Sequence, residues 1–249
     1  MTATRLVDIV FPGDTNHHGT LFGGTALAHM DKVAFIAAAR HAHVDFVTAS
    51  CERIDFKAPA RLGELAEVTG RVMRVGRRSI GIEVELVAEA LLSGERRLCG
   101  RGLFNMVAVG EKAESEGWRM PPLDTAPARD DGLRLVDLVF PEQTSHYGSL
   151  YGGHTLAAMG KAAFIAATRE SRKTIVMAAT RRVDFTAQIG TGEIMELAPS
   201  VTARGRTSLT VAVTLASESL RTGERRVCGT GEFVMVAVDE HGRPAPLDR

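Results

Sequence analysis

Apolar residues recur along this chain in two rhythms. Ile80, Ile82, Val84 and Leu86 alternate with other residues, the period of a strand with one buried face. Residues 25–40, TALAHMDKVAFIAAAR, are instead apolar on nearly every side. That segment is rich in Ala, Leu and Met and free of Pro and internal Gly, so it predicts a helix buried all round rather than along one stripe. The flanking pattern predicts a short strand at 6–11, a turn-rich loop at 12–24, and further strands at 48–56, 64–75, 79–90 and 97–109. Gly76 and the Ser93-Gly94 pair mark turns between them. One helix and about five strands suggest an antiparallel sheet, and a helix without a polar face suggests that the sheet wraps around it.

The whole pattern occurs twice. LVDIVFPGDTNHHGTLFGG at 6–24 returns as LVDLVFPEQTSHYGSLYGG at 135–153, and the offset of 129 holds without a gap from Leu6/Leu135 to Val109/Val238. A repeat of this size defines the architecture. The expected fold class is α+β, two units of an antiparallel sheet wrapped around a long central helix, fused in tandem. Unit 1 is assigned to residues 1–110 and unit 2 to 134–249, its helix at 154–169. Residues 111–133, with Trp118, Pro121-Pro122 and Pro127, form the linker. Among the polar positions where the match breaks, Asn16 becomes Ser145, and Asp31 becomes Gly160.

Composition narrows the function classes. The 30 basic and 30 acidic residues cancel, which argues against a nucleic-acid binder driven by counterion release. No apolar run reaches the length of a membrane span, and the start, MTATRLVDIVFPGD, lacks the parts of a signal peptide. Of three cysteines, Cys99 and Cys228 are repeat equivalents, which favours small buried strand residues over a disulfide. A reducing, cytoplasmic setting is expected.

The candidate chemistry lies near the mismatches. Asp31 sits two turns into the apolar helix, on a stripe with Leu27, Ala34, Phe35 and Ala38. A carboxylate there needs water, a donor or a cation, and is either a general base or nucleophile or a partly exposed helix residue screened by Lys32. Gly in a helix interior costs about 1 kcal/mol relative to Ala, so helix stability does not explain Gly160. It leaves room either for something lying against the helix or for tight packing. Asn16 is either a donor to a carbonyl oxygen or a turn residue, and Ser145 keeps part of that hydrogen-bonding capacity. Gly23-Gly24, after Phe22, and Gly152-Gly153 lead into helix starts whose N–H groups suit a developing oxyanion. Arg77 and Arg206, in GRRS and GRTS turns, are either phosphate ligands or residues of charged hairpins. Glu95-Arg96-Arg97 and its copy Glu224-Arg225-Arg226 carry the same ambiguity. Adjacent His17 and His18 have poor geometry for one metal. Asp55 and Asp184, present in both copies, favour a structural role.

Together, D-T-N-x-x-G-x-L-F-G-G at 14–24, Met30-Asp31 and V-G-R-x-S at 75–79 resemble the hot-dog acyl-CoA thioesterases, of the acyl-CoA hydrolase group that includes the brain-type tandem enzymes. The resemblance implies two hot-dog units paired as a double hot dog, with sites at the shared interface. It implies hydrolysis of acyl-CoA to free acid and CoA without metal or cofactor, CoA being part of the substrate. It also implies a homo-oligomer, a trimer of double hot dogs, with neither nucleic acid nor membrane as partner. The family's catalytic pair maps onto Asn16 and Asp31. Gly23 and Gly24 would polarise the thioester carbonyl, and Arg77 or Arg206 would hold CoA phosphates. In tandem members Asn and Asp come from different units, so Asp31 would face Ser145 and Asn16 would face Gly160. The expectation is therefore one working site per chain, at Asp31/Ser145. The alternative is a non-catalytic acyl-CoA binding or sensing protein on the same fold.

Overall fold

The computed structural model describes residues 4–123 and 133–247. It divides into two compact units, each with its own five-stranded sheet and long helix. In unit 1 the order is β1 (Thr4–Ile9), α1 (Gly23–Ala42), β2 (Asp45–Phe56), β3 (Leu65–Val75), β4 (Ser79–Glu89) and β5 (Arg96–Val109). The sheet runs β1-β3-β4-β5-β2 and is antiparallel throughout. Helix α1 packs on all five strands. Its Met30, Val33, Ala34, Ile36 and Ala38 have no exposed surface, but Leu27 and Ala28 are exposed, so the helix is buried along a broad face and not all round as expected. Alternating strand residues close over it, Val68 from β3 and Ile80, Ile82, Val84 and Leu86 from β4.

After β5 comes a single helical turn, α2 (Glu111–Glu114). The segment up to residue 123 lies on unit 1: Ala113 and Met120 are buried and Trp118 packs against the core. Met120 N–H donates to the Arg77 carbonyl at 3.0 Å, and the His41 Nε2–H donates to the Pro121 carbonyl at 2.9 Å. Residues 124–132 of the expected linker lie outside the described residues.

Unit 2 repeats the design with β6 (Leu135–Leu138), α3 (Gly152–Ser171), β7 (Ile175–Phe185), β8 (Glu193–Arg204), β9 (Ser208–Ser219) and β10 (Arg225–Ala237), in sheet order β6-β8-β9-β10-β7. Both units are hot-dog units, a curved antiparallel sheet around one helix, in tandem. Among the described residues no helix is long and apolar enough to cross a membrane.

Both helices run longer than their apolar pattern, beginning at the paired glycines. They end where His43 (φ 52) and Arg172 (φ 53) take the left-handed conformation, with the N–H of each returning to the carbonyl four residues back.

The doubled arginines tie strands together within each sheet. Arg96 bridges Glu67 at 2.6 Å and Glu89 at 2.7 Å, carboxylates that are 5% and 1% exposed as residues. The hydrogen bond that Arg96 donates to Glu67 raises the Arg96 pKa against the opposing effect of burial. Arg97 pairs with Glu64 and the Pro59 carbonyl. In unit 2 Arg225 pairs with Glu196, and Arg226 with Glu193. Buried carboxylates need such partners, so these arginines are committed to the fold.

Candidate active site

Helix α1 starts directly after Phe22, whose side chain caps nothing. The first N–H of the helix to find a carbonyl is that of Ala26, which donates to Phe22 at 3.0 Å. The amides before it form the positive end of the helix dipole. A Cβ on Gly24 would stand 2.6 Å from the Phe22 ring, whereas one on Gly23 would meet nothing within 4 Å. Gly24 is thus glycine so that the aromatic ring can fold over the helix start, and Gly23 borders open space. Gly153 and Gly152 repeat this arrangement under Tyr151, with the corresponding distance 2.7 Å at Gly153 and open space at Gly152.

Beside Gly23 a cavity of about 310 Å³ is lined mainly by apolar groups, among them Leu21, Ala26, Ala60 and Cys99, with Lys57 as its charge. Burial pushes the Cys99 thiol above its ordinary value, so it presents a protonated sulfur, a wall rather than a nucleophile. The repeat equivalents of Ala26 and Ala60 are Thr155 and Ile189, both larger.

Asp31 lies on α1, half-buried, two turns beyond this start. Thr48 of β2 donates its Oγ1–H to Asp31 Oδ1 at 2.6 Å, the length of a charge-assisted hydroxyl–carboxylate bond. Thr48 Oγ1 also lies 3.6 Å from Met106 Sδ. A bulge follows Thr48, the β2–β5 register shifting between Thr48 and Ser50, the kind of irregularity that re-aims a side chain. One carboxylate oxygen is therefore fixed, and Oδ2 accepts no bond among the described residues. Thr48 is the residue that the chain pattern did not single out. Its signal was a further mismatch in the repeat, since position 177, its equivalent, is Met.

Unit 2 holds neither member of that pair. Met177 stands opposite Met235 in the β7–β10 register as Thr48 stands opposite Met106 in β2–β5. The bulge is also kept, the β7–β10 register shifting between Val234 and Met235. At the Asp31 position Gly160 is buried, and a Cβ built on it would lie 2.7 Å from the Met177 Cε.

Asn16 spends much of its side chain on its own loop. Its Oδ1 accepts from the His18 N–H at 2.9 Å and the Thr20 N–H at 3.3 Å, and its Nδ2 lies 3.0 Å from Thr20 Oγ1. Asn16 and Asp31 make no bond to each other among the described residues. Ser145 keeps the turn more loosely, its Oγ accepting from the Tyr147 N–H at 3.3 Å. Arg77 and Arg206 are exposed at their turns. Their carbonyls accept from Met120 and Leu247, so the backbone at these turns is structural while the guanidinium groups face outward. His17 and His18 are exposed and stack on each other at 3.8 Å.

Unit 1 thus combines an uncapped helix start, an apolar cavity beside it and a carboxylate anchored on the same helix, and unit 2 has the same scaffold without the carboxylate. The model of the thioesterase superfamily matches residues 18–93 and again 147–224, and the chain belongs to that superfamily. It is similar over 98% of its length, and 98% of the other chain, to an acyl-CoA hydrolase structure from Agrobacterium tumefaciens, at 51% identity and a TM-score of 0.88. The cytosolic acyl coenzyme A thioester hydrolase of Rattus norvegicus is 23% identical over 96% of this chain and 75% of its own length. An uncharacterized acyl-CoA thioester hydrolase of Bacillus subtilis is 35% identical over 51% of this chain and 71% of its own.

Proposed function

We propose that the protein hydrolyses acyl-CoA thioesters to a free acid and CoA, and that unit 1 supplies the carboxylate. The observation that carries this reading is Asp31, anchored through Oδ1 by Thr48 with Oδ2 accepting no bond among the described residues. Its relatives' names as acyl-CoA hydrolases support the substrate class.

In this reading Asp31 acts as general base. Oδ2 takes a proton from water as the water oxygen bonds to the acyl carbon. The amides at the Gly23-Gly24 helix start receive the charge that develops on the carbonyl oxygen. The tetrahedral intermediate collapses, the C–S bond breaks, and the proton passes to the CoA sulfur. The alternative of Asp31 as nucleophile, through an acyl anhydride, is distinguished by single turnover in ¹⁸O-water: label reaches Asp31 only by that route. Phe22 borders the acyl group, and the cavity beside Gly23 takes its apolar end. Asn16 and Ser145 are assigned polar supporting roles, and Arg77 and Arg206 the CoA phosphates.

Unit 2, with Gly152, Gly153 and Gly160, is assigned binding without turnover, a reading favoured by Gly160 and Met177 in place of the carboxylate and hydroxyl. Assembly as a trimer of double hot dogs and a cytosolic setting belong to the same proposal. The test is CoA release from a panel of acyl-CoAs measured beside ligand binding. Turnover on at least one acyl length supports hydrolysis, whereas binding across the panel without turnover replaces it with a sensing role.

A further inference from the structure

The exchange of Asp31 for Gly160 and of Thr48 for Met177 is one change, not two. In unit 1 the hydroxyl is aimed at the carboxylate across 2.6 Å. In unit 2 the same strand position, next to a retained bulge, sends a thioether methyl to within 2.7 Å of where a Gly160 Cβ would lie. The methyl thus occupies the volume in which a side chain at 160 would begin. A carboxylate placed there meets an apolar group that gives no hydrogen bond, and a buried charge without a donor is strongly disfavoured. Met177 is 46% exposed, and its Cε is the far end of an unbranched, adaptable side chain, so the cost at 160 falls mainly on a charged group, which the methyl cannot hydrogen-bond.

We propose that Met177 is the residue that locks unit 2 in a non-hydrolytic state: it replaces the Thr48 donor, fills the place of the carboxylate, and makes Gly160 obligatory. Gly160 alone does not silence the site. This rests on the assignment of hydrolysis to the Asp31–Thr48 pair, and it makes unit 2 an apolar surface against which an acyl chain can lie.

The test is a double-mutant cycle at 160 and 177 in full-length protein carrying Asp31→Asn, so that unit 1 is silent. Thermal unfolding and CoA release from acyl-CoA are read on the same samples. Gly160→Asp alone should lower Tm by about 4 °C or more and give no hydrolysis. Met177→Thr alone should leave the unit folded and inactive. The pair Gly160→Asp/Met177→Thr should recover most of the lost Tm and raise CoA release about tenfold or more above the Asp31→Asn background. Gly160→Asp tolerated equally beside Met or Thr, or equal activity from Gly160→Asp with and without the second change, overturns the proposal. So does a double variant that stays at background. If Asp31→Asn itself leaves hydrolysis intact, the functional assignment of unit 1 fails instead, and the Tm cycle still decides whether 160 and 177 are coupled.

Discussion

Helices α1 and α3 have the same length and the same buried small-residue face, yet one carries an anchored carboxylate and the other a glycine under a methionine. What the two halves share is what a hot-dog unit needs to fold and to leave its helix start open: paired glycines, an uncapped first turn and arginine–glutamate ties between strands. They differ where chemistry would be done. Shared positions therefore report on scaffold, and the unshared Asp31 and Thr48 are where the proposed reaction would separate the halves. Gly160 sharpens the point: it costs about 1 kcal/mol of helix stability relative to Ala, so it answers to the Met177 methyl beside it rather than to the helix itself.

The comparison breaks most visibly if unit 1 is rewritten as unit 2. Asp31→Gly with Thr48→Met should leave a folded protein, since that pairing exists in unit 2, and lower kcat by about 10³-fold or more; circular dichroism and CoA release on one sample check both. Thr48→Val removes the hydroxyl but keeps the volume. It should lower kcat about tenfold with KM little changed, and Thr48→Ser should restore most of the loss. A purely structural Thr48 would instead move Tm and leave the Ser variant no better than Val. Ala60→Ile copies the Ile189 of unit 2 into the cavity wall. Its expected effect is a few-fold fall in kcat/KM for long acyl chains and little for short ones, read across an acyl-CoA series. The smallest effect falls where the halves agree. Burial raises the Cys99 pKa above that of a free thiol, so at any alkaline pH Cys99 is less ionised than an exposed cysteine. Exposed Cys51 should then alkylate in the native protein while Cys99 and Cys228 wait for unfolding, as mass spectrometry would show; rapid native labelling of Cys99 would count against its role as a wall.

Much of this was legible in the chain. The all-round apolar segment at 25–40 announced a buried helix, and the repeat announced two units. The helix ends were less so, because α1 starts behind Phe22 with no polar cap and stops at a left-handed His43 where glycine is the usual signal. Strand β2 begins three residues before its expected start, since Asp45, Phe46 and Val47 pair with Val109, Ala108 and Val107 of β5, partners that no local pattern reveals. The ambiguity of Arg96 and Arg97 was resolved only by Glu67, Glu89 and Glu64, which reach them across the sheet. Asp31 was identified in the sequence, but its donor was not. Thr48 lies 17 residues away on another element, and threonine in a strand carries no signal of its own.

The central claim, that Asp31 of unit 1 is the catalytic carboxylate, is tested most directly by Asp31→Asn. Steady-state CoA release and CoA binding should be measured on the same full-length preparation. The account predicts turnover lowered by about 100-fold or more with binding retained. Turnover at the level of the unsubstituted protein would place the reaction elsewhere and contradict it.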